Sequence, residues 1–523
     1  MIAIVKSTAL SGLDGQIVEV EVDVSRGLPS FDIVGLPDIS VREAKDRVRT
    51  AIKNSGLEFP VKRITVNLAP ADLKKEGPVY DLPIAVGILA ATEQLPPERF
   101  QQYVYLGELS LNGSLRGITG VLPNVLAVRD AALQQVVVPM ENAKEAALVE
   151  GIDVFPASCL DELVAFLRGK YEITPYKLDL KELQDQLEEG AFFDFGDVKG
   201  QQTAKRCLEV AAAGGHNVIM LGSPGSGKTM LARSLPGILP DLTFQESIDV
   251  TKIHSLAGLL PANRPLLTRR PFRSPHHTAS TISIIGGGRI PKPGEVSLAH
   301  HGVLFLDEMP EFHKDTLEAL RQPLEDGVVT ISRINASLTY PARLMLVGAL
   351  NPCPCGYYGD PSRECSCSPL QVQRYISRLS GPLLDRVDLH IQVPRLPYED
   401  ISQQPRGESS REIKQRVEQA REIQRQRFAA EKQIGGPRRS KTSSVTCNAG
   451  MGPREVRLYC KLHKNAKALI KDAFGRLNLS ARSYDRILKV SRTIADLAGS
   501  DLIEEGHVAE ALQYRSMDNK NLS

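Results

Sequence analysis

The stretch that decides the fold is HNVIMLGSPGSGKTMLARSL, residues 216–235. Its first six residues, 216–221, predict a buried strand, and the periodic segment after Thr229 predicts a helix. Between them, a glycine-rich loop allows backbone N–H groups to close around phosphate groups at the N-terminus of that helix. The stretch therefore predicts a strand, a phosphate-binding loop and a helix within an α/β fold.

The same loop carries the residues expected to hold a nucleotide. Lys228 adds a cation at the terminal phosphates, and the Thr229 hydroxyl is suited to ligate Mg²⁺. ATP and Mg²⁺ are therefore the predicted cofactors. The predicted nucleotide-binding residues are Gly222, Ser223, Pro224, Gly225, Ser226, Gly227, Lys228, Thr229 and Met230.

A second apolar strand, residues 302–306, ends in two carboxylates, Asp307 and Glu308. Asp307 would hold the Mg²⁺ shell and Glu308 would polarise the attacking water. A surface turn after a strand would explain this pair if it stood alone. Because the phosphate loop and the carboxylates occur in one chain, we predict ATP hydrolysis.

Three further side chains are predicted to serve this site. A strand over residues 343–350 ends in Asn351, which resembles the sensor-1 position of AAA+ proteins and would orient water beside the γ-phosphate. Arg386 follows a short helix, where related ATPases present an arginine finger to the neighbouring subunit. Arg482 resembles a sensor-2 arginine that couples lid closure to the nucleotide. A surface salt bridge at Arg386 and a surface cation at Arg482 are the alternatives.

Composition excludes several classes of protein. The chain has 523 residues, 42% hydrophobic and 24% charged, which are ordinary globular values and too many residues for one core. We find no basic leader with a long apolar run, no apolar stretch near the ~20 residues of a spanning helix, and cysteines too sparse for a disulfide scaffold. The expected location is the cytoplasm, with no membrane partner.

Five segments are predicted from changes in composition and periodicity. In the first, strand-like runs at residues 17–24, 63–68, 103–106 and 135–139 alternate with helical runs at 41–55, 82–93 and 121–133. The segments are an α/β domain (1–170), a linker containing a helix (171–194), an ATPase core with a parallel sheet (195–394), a charged linker or helix (395–444) and a helical lid (445–523).

The formal net charge of +2 decides nothing about partners, but residues 406–441 are locally basic. A phosphate contact and a solvated charged helix are equally compatible with this pattern. Its cations are Arg411, Lys414, Arg416, Arg421, Arg425, Arg427, Lys432, Arg438 and Arg439.

Half of the eight cysteines form two CxC pairs: Cys353 with Cys355, and Cys365 with Cys367. They are a suitable thiolate set for structural Zn²⁺, although the spacing departs from the commoner CxxC and leaves free reduced thiols as the alternative. The other four, Cys159, Cys207, Cys447 and Cys460, are isolated and are predicted to be packed residues. The pairs His276-His277 and His300-His301 lack accompanying ligands and are predicted to be hydrogen-bonded structural histidines.

Several strings resemble the YifB/ComM family of magnesium-chelatase-like AAA+ proteins over essentially the whole chain. They are GLPDISVREAKDRVRTAI, NLAPADLKKEGPVYDLPIA, FRSPHHTAS, NPCPCGYYGDP and SGPLLDRVDL. The resemblance implies a homohexameric ring and, for the ComM branch, ATP-driven branch migration of DNA junctions during recombination of incoming DNA in natural transformation. DNA is then the expected partner, with recombination proteins as further candidates.

In this family, two loops point into the pore of the ring, here at about residues 280–297 and 328–341. The cations available there are Arg289, Lys292 and Arg333. A cation on a moving loop can drag a phosphate backbone without reading its sequence. Ordinary loop charge is the alternative.

The first segment resembles the Lon-protease fold, whose peptidases use a serine and a lysine. Here Val79 stands where the serine would be, and only Leu122 or Asn124, depending on register, stands for the lysine. Because none of these supplies a nucleophile or a titratable base, the segment is predicted to be a non-catalytic interaction or assembly module. Besides a DNA motor, a chelatase-like protein remodeller and a regulatory ATPase remain open, since fold alone does not separate them.

Overall fold

The computed structural model describes residues 2–178, 193–261, 264–288, 291–333, 336–397, 407–434, 445–477 and 480–515. The chain divides into two compact units that are not contiguous in sequence. The first contains Met1–Glu188, Phe244–Thr268 and Ser332–Tyr340, and the second contains Glu189–Thr243, Arg269–Ile331 and Pro341–Ser523. The helix predicted in the linker lies largely outside the described residues.

A mixed seven-stranded sheet, in the order β3-β4-β2-β1-β5-β8-β9, organises the first unit. In β2 the buried residues Val18, Val20, Val22 and Val24 alternate with less buried ones, as expected for a strand with one face on the core. The seven strands are β1 (Ile2–Ser11), β2 (Asp14–Ser25), β3 (Ser30–Val34), β4 (Arg63–Ala69), β5 (Val104–Tyr105), β8 (Gln135–Pro139) and β9 (Asp153–Ala157), while β6 (Glu108–Leu109) and β7 (Leu115–Arg116) pair separately.

The helices of the first unit cover this sheet. Every residue of α2 is buried, so this helix lies wholly inside the core, whereas α1 buries a single stripe and is capped by the Asp38 side chain. The strands and helices predicted for this segment are confirmed. The helices are α1 (Ile39–Asn54), α2 (Asp81–Ala91), α3 (Pro97–Phe100), α4 (Val121–Asp130), α5 (Ala143–Ala146) and α6 (Leu160–Leu167), with α9 (Phe244–Ala257) joining from later in the chain.

A five-stranded parallel sheet, in the order β11-β14-β17-β10-β18, forms the centre of the second unit. Strands β10, β14 and β17 are buried along their whole length, as expected for a parallel sheet covered on both faces. The strands are β10 (Val218–Leu221), β11 (Phe272–Arg273), β14 (Val303–Leu306), β17 (Met345–Leu350) and β18 (Leu389–Gln392). The predicted parallel-sheet core is confirmed.

Two short two-stranded sheets come from the same stretch of sequence, and residues 332–340 of the second one belong to the first unit. They are formed by β12 (Gly286–Gly287) with β13 (Lys292–Pro293), and by β15 (Val328–Arg333) with β16 (Ala336–Pro341). The helices before the C-terminal segment are α7 (Gln202–Gly214), α8 (Lys228–Ser234), α10 (Thr281–Ile285), α11 (Glu295–Leu298), α12 (Lys314–Ala319), α13 (Arg321–Asp326), α14 (Pro369–Ile376) and α15 (Gly381–Leu384).

The C-terminal segment is helical, as its periodicity predicts. Ile487 and Ile494 are buried on one face of the amphipathic helix α19. The helices are α16 (Ser410–Ile434), α17 (Pro453–Tyr459), α18 (Lys464–Leu477), α19 (Ala481–Leu497) and α20 (Glu505–Gln513). No described helix is both long enough and apolar enough to cross a lipid bilayer.

Helix α16 carries most of the locally basic stretch, and several of its cations, including Arg416 and Arg427, are engaged within the second unit. Arg416 binds Glu209 at 2.5 Å and also pairs with Glu408, and Arg427 pairs with the fully buried Asp496. The opposite stripe of the helix, including Val417, is buried. The positive charges therefore hold this helix on its own unit, and Arg438 and Arg439 lie outside the described residues.

We expect the free energy of unfolding to fall when the pH is lowered from about 7 to about 5, because His390 on β18 is buried in its neutral form. Burial and the positive charge of Arg515 lower the pKa of His390 to about 3, against an ordinary value of 6.5. Below pH 6.5 the unfolded chain therefore takes up a proton that the folded chain refuses. Stability is lost at up to about 1.4 kcal/mol per pH unit for this site.

Denaturant unfolding of the wild type and of His390→Gln at both pH values checks this expectation. The glutamine variant should show a shallower pH dependence, whatever its absolute stability. Equal slopes for the two proteins would contradict the assignment.

Candidate nucleotide-binding and hydrolysis site

The phosphate loop connects the carboxyl end of β10 to the N-terminus of α8. Gly225 and Gly227 have φ values of +78° and +93°, in the left-handed region that favours glycine. A Cβ atom at Gly222 would lie 2.3 Å from the carbonyl oxygen of Val393, so the backbone approaches β18 too closely for a side chain. The glycines therefore shape a loop whose N–H groups precede a helix, which is an anion-binding arrangement.

Lys228 is held inside this loop. Its Nζ donates to the carbonyl oxygens of Gly222 at 2.6 Å and Ser223 at 2.9 Å, and to Oδ1 of Asn351 at 3.3 Å. Burial lowers the pKa of the Lys228 ammonium, while the negative charges of Asp307 and Glu308 oppose that effect. The structure thus brings the predicted lysine and the predicted Asn351 amide together at the carboxyl ends of neighbouring strands.

Thr229 and Asp307 meet as the metal prediction requires. The Thr229 hydroxyl donates to Oδ2 of Asp307 at 2.9 Å, and Oδ1 of Asp307 accepts from the Glu308 amide at 3.0 Å. A hydroxyl and a carboxylate are oxygen ligands of the kind Mg²⁺ prefers, so the residues present fit that ion. Bound there, Mg²⁺ would neutralise charge on the phosphates while Thr229 and Asp307 orient it.

Glu308 occupies a left-handed backbone conformation, with φ of +50°, directly after β14. This is uncommon for a residue with a Cβ atom and is often found at functional sites. The side chain is half-exposed, and its Oε2 lies 3.5 Å from Nδ1 of His277. A carboxylate held out at the sheet edge, beside the residues that fit Mg²⁺, is suitably placed to activate water.

His277 is a neighbour of Glu308 that the sequence analysis did not assign to the site. Its string, FRSPHHTAS, begins in β11, which pairs in parallel with β14. Because parallel strands end at the same edge of a sheet, residues following β11 come close to residues following β14. Applied to β11 and β14, this rule would have placed His277 near Glu308.

Arg386 and Arg482 both act electrostatically on one carboxylate, that of Glu325. Arg386 pairs with Glu325 and donates to the carbonyl oxygen of Pro382 at 2.7 Å, so its side chain is only 15% exposed. The pKa of Glu325 is lowered, chiefly by Arg386 and to a smaller extent by the positive charges of Arg482 and Arg486. Arg482 is exposed at the first turn of α19. The predicted arginine finger Arg386 is therefore ion-paired with Glu325, and the predicted sensor-2 residue Arg482 adds only a smaller electrostatic effect on that carboxylate.

The four clustered cysteines converge. Their sulfur atoms all lie within 4.8 Å of one another, and Cys353 Sγ is 3.3 Å from Cys355 Sγ and 3.6 Å from Cys365 Sγ. A tetrahedral zinc–thiolate site has sulfur–sulfur distances of about 3.8 Å, so the set, completed by Cys367, fits zinc. Elsewhere, Cys207 and Cys460 are buried, whereas Cys159 and Cys447 are partly buried.

The remaining histidines of the two pairs are hydrogen-bonded, as predicted. His300 Nδ1 accepts from the Arg343 amide at 3.0 Å, and burial holds the pKa of His300 well below its usual range. His276 Nδ1 lies 2.9 Å from the Thr278 hydroxyl. Within the described residues the four cysteines are the only group of three or more side chains spaced to hold a metal ion.

The predicted DNA contacts are described only in part. Lys292 is exposed on β13, in the two-stranded sheet that follows α10. Arg289 and the side chain of Arg333 lie outside the described residues.

The protease positions of the first unit hold no catalytic group. Val79 lies in a 3₁₀ turn, Pro78–Tyr80, and Leu122 is fully buried in α4. The Asn124 side chain donates to the carbonyl oxygen of Gly120 at 2.8 Å and accepts from the Thr8 hydroxyl at 2.8 Å. An amide in two internal hydrogen bonds supplies no base, so these positions lack the serine and lysine of a Lon-type peptidase.

Comparison with known proteins places this geometry in a class. Models of three protein families match the chain: "Magnesium chelatase, subunit ChlI" at residues 194–401, "Subunit ChlI of Mg-chelatase" at residues 20–142 and "Magnesium chelatase, subunit ChlI C-terminal" at residues 407–515. With the phosphate loop, the paired carboxylates and the parallel sheet, they define an AAA+ ATPase of the magnesium-chelatase class.

Similarity over nearly the full length identifies the family to which the chain belongs within this class. The chain is 46% identical to "Competence protein ComM" of Haemophilus influenzae over 518 residues, which cover 99% of this chain and 98% of that protein. It is 44% identical to "Uncharacterized protein YifB" of Escherichia coli over 519 residues, 99% of this chain and 97% of that protein. The chain therefore belongs to the YifB/ComM family of magnesium-chelatase-like AAA+ ATPases.

A shorter match relates part of the chain to a Lon protease. The chain is 25% identical to "Lon protease 2" of Bacillus subtilis over 182 residues, 31% of this chain and 32% of that protein. The chain combines a Lon-protease-like α/β domain, an AAA+ core with a parallel sheet and a C-terminal helical lid.

Proposed function

We propose that this protein is an ATP-driven motor that assembles as a homohexameric ring in the cytoplasm and moves branched DNA through its pore. The observation that carries the proposal is the 46% identity, over 99% of the chain, to a protein named for competence. Competence involves taking up and recombining DNA, and a motor that migrates junctions would serve that recombination.

The geometry of the site supports ATP hydrolysis as the energy source. Lys228 would neutralise the terminal phosphates, Thr229 and Asp307 would hold Mg²⁺, and Glu308 would polarise the attacking water. Asn351 is 3.3 Å from Lys228 Nζ and would orient that water. The residues that would hydrolyse ATP lie at the ends of strands. Loops attached to those strands can therefore change position when ATP binds or is hydrolysed.

Cations in the pore loops would bind the DNA backbone, so that movement of the loops also moves the DNA. Lys292 is exposed, and Arg289 and Arg333 belong to the same two loops. Contacts of this kind bind the phosphate backbone irrespective of sequence, so affinity should fall steeply with salt. Recombination proteins are the further partners we propose.

The test is ATP hydrolysis by the purified chain with and without forked or four-way DNA, followed by an assay of junction migration. Glu308→Gln serves as the blank, because contaminating ATPases would survive that substitution. Stimulation by junction DNA together with migration is the expected result. Robust hydrolysis that is indifferent to DNA would overturn the motor proposal.

A chelatase-like remodeller of a protein partner is the second candidate, and a regulatory ATPase is its close variant. The family models favour it, because all three describe a subunit of magnesium chelatase. In that case hydrolysis would respond to a protein partner, and junctions would not migrate.

We further propose that the four clustered cysteines hold a structural zinc ion. The pairwise sulfur distances of 3.3 to 3.6 Å among Cys353, Cys355 and Cys365 carry this assignment, since free thiols have no reason to converge so closely.

A further inference from the structure

The cysteine loop, residues 353–367, joins two catalytic parts of the second unit. At its start, Cys353 comes two residues after Asn351, whose side chain accepts from Lys228. At its end, Cys367 leads into α14, after which Arg378 donates to the carbonyl oxygen of Pro310 at 3.1 Å and to Glu311 at 2.7 Å. Pro310 and Glu311 closely follow Glu308. The cysteine loop therefore links the end of β17, through α14 and Arg378, to the turn that follows β14.

The cysteine loop also packs directly on the phosphate loop. Gly356 is buried with φ of +87°, and a Cβ atom there would lie 2.6 Å from the ring of Pro224. Close by, the hydroxyl groups of Ser223 and Ser362 stabilise the Asp360 carboxylate and lower its pKa to about 2. Two adjacent positions of the phosphate loop, Ser223 and Pro224, thus rest against this segment.

Nothing in the cysteine loop beyond Gly356 could fix its shape by apolar packing. None of residues 357–366 is buried, and Tyr358 is 43% exposed. Because apolar packing holds a short segment without a core only weakly, a cross-link adds stability that fixes its conformation. The converging thiols of Cys353, Cys355, Cys365 and Cys367 are positioned to supply that cross-link.

We propose that zinc bound by these four thiolates locks the cysteine loop against Ser223 and Pro224 and thereby sets the affinity of the phosphate loop for ATP. The inference deepens the proposed function and rests on its assumption that ATP binds at residues 222–229. It gives the metal a regulatory role, because loss of zinc would weaken nucleotide binding at a site that contains none of the zinc ligands.

Two glycines of the loop provide a matched pair for the test. Gly356 and Gly359 both have left-handed backbones, with φ of +87° and +77°, so alanine strains both alike. A Cβ atom at Gly356 meets Pro224, whereas a Cβ atom at Gly359 has nothing within 4 Å. The difference between the two variants therefore isolates the contact with the phosphate loop.

The experiment measures zinc content by inductively coupled plasma mass spectrometry and the affinity for a fluorescent ATP analogue with Mg²⁺, on the full-length chain. The wild type should contain zinc and bind the analogue. Cys365→Ser/Cys367→Ser should lack zinc and bind the analogue about tenfold more weakly. Gly356→Ala should keep zinc yet bind about tenfold more weakly, while Gly359→Ala should match the wild type in both.

Each outcome decides the question. Wild-type affinity in the zinc-free cysteine variant, equal affinities in the two alanine variants, or absence of zinc from the wild type would overturn the inference. If the wild type itself fails to bind the ATP analogue, the proposed function fails instead. Gly356→Ala is expected to retain its zinc. It therefore tests the contact with Pro224 separately, even if the cysteine variant folds poorly.

Discussion

Replacing Glu308 by Gln should leave ATP binding intact and reduce the rate of hydrolysis by about 100-fold or more, the contribution expected of a general base. The Glu308 side chain follows β14, whereas Lys228 donates a hydrogen bond to Gly222 and Thr229 donates one to Asp307. Glutamine keeps its size but cannot accept the proton of the attacking water. Steady-state phosphate release and equilibrium binding of a fluorescent ATP analogue measure the two effects separately.

Two variants complete this experiment. Glu311→Gln makes the same chemical change three residues away, at a carboxylate paired with Arg378, and should retain most of the activity. Lys228→Ala removes the cation of the phosphate loop and should lose binding itself. Hydrolysis surviving in Glu308→Gln, or lost equally in Glu311→Gln, would refute the assigned role.

Arg386→Ala should abolish hydrolysis in the assembled protein while each subunit still binds ATP. An arginine finger acting on the neighbouring subunit's nucleotide is commonly worth about 10³-fold or more in rate. Within its own chain, Arg386 pairs with Glu325, so the finger would have to leave that carboxylate to reach across. The measurement is ATP hydrolysis by the variant at concentrations where it assembles.

Mixing variants distinguishes action in trans from a structural role. Arg386→Ala retains its phosphate loop, and Lys228→Ala retains its arginine, so a mixed ring contains complete sites and should regain activity. Glu325→Gln removes the partner of Arg386 and should keep substantial hydrolysis. If mixing restores nothing and Glu325→Gln is as inactive as Arg386→Ala, the ion pair alone explains the loss.

Much of the site could be predicted because its residues occupy short, contiguous motifs. The string from Gly222 to Thr229 implies its own geometry, since Gly225 and Gly227 adopt a left-handed backbone and Gly222 leaves no room for a side chain. Asp307 and Glu308 follow an apolar strand, and parallel strands end at one edge of the sheet, so their approach to Thr229 follows from topology.

Other parts could not be predicted because they depend on which helix faces pack together. Glu209 and Arg416 are 207 positions apart and meet at 2.5 Å because the apolar stripe of α16 is buried on the unit. The charge pattern of α16 is the same whether its cations meet phosphates, water or carboxylates. For the same reason, nothing in the sequence around Arg386 identifies Glu325 as its ion-pair partner.

The discontinuous make-up of the first unit determines the order in which the chain can fold during synthesis. Helix α9 contributes Ile248 to the buried cluster of α4, and Ser255 in the same helix donates to Glu145 at 2.5 Å. The last contribution ends at Tyr340. A ribosome must therefore have produced the phosphate loop and both carboxylates before the first unit can be finished, although β17, β18 and the C-terminal helices that complete the second unit are made later still.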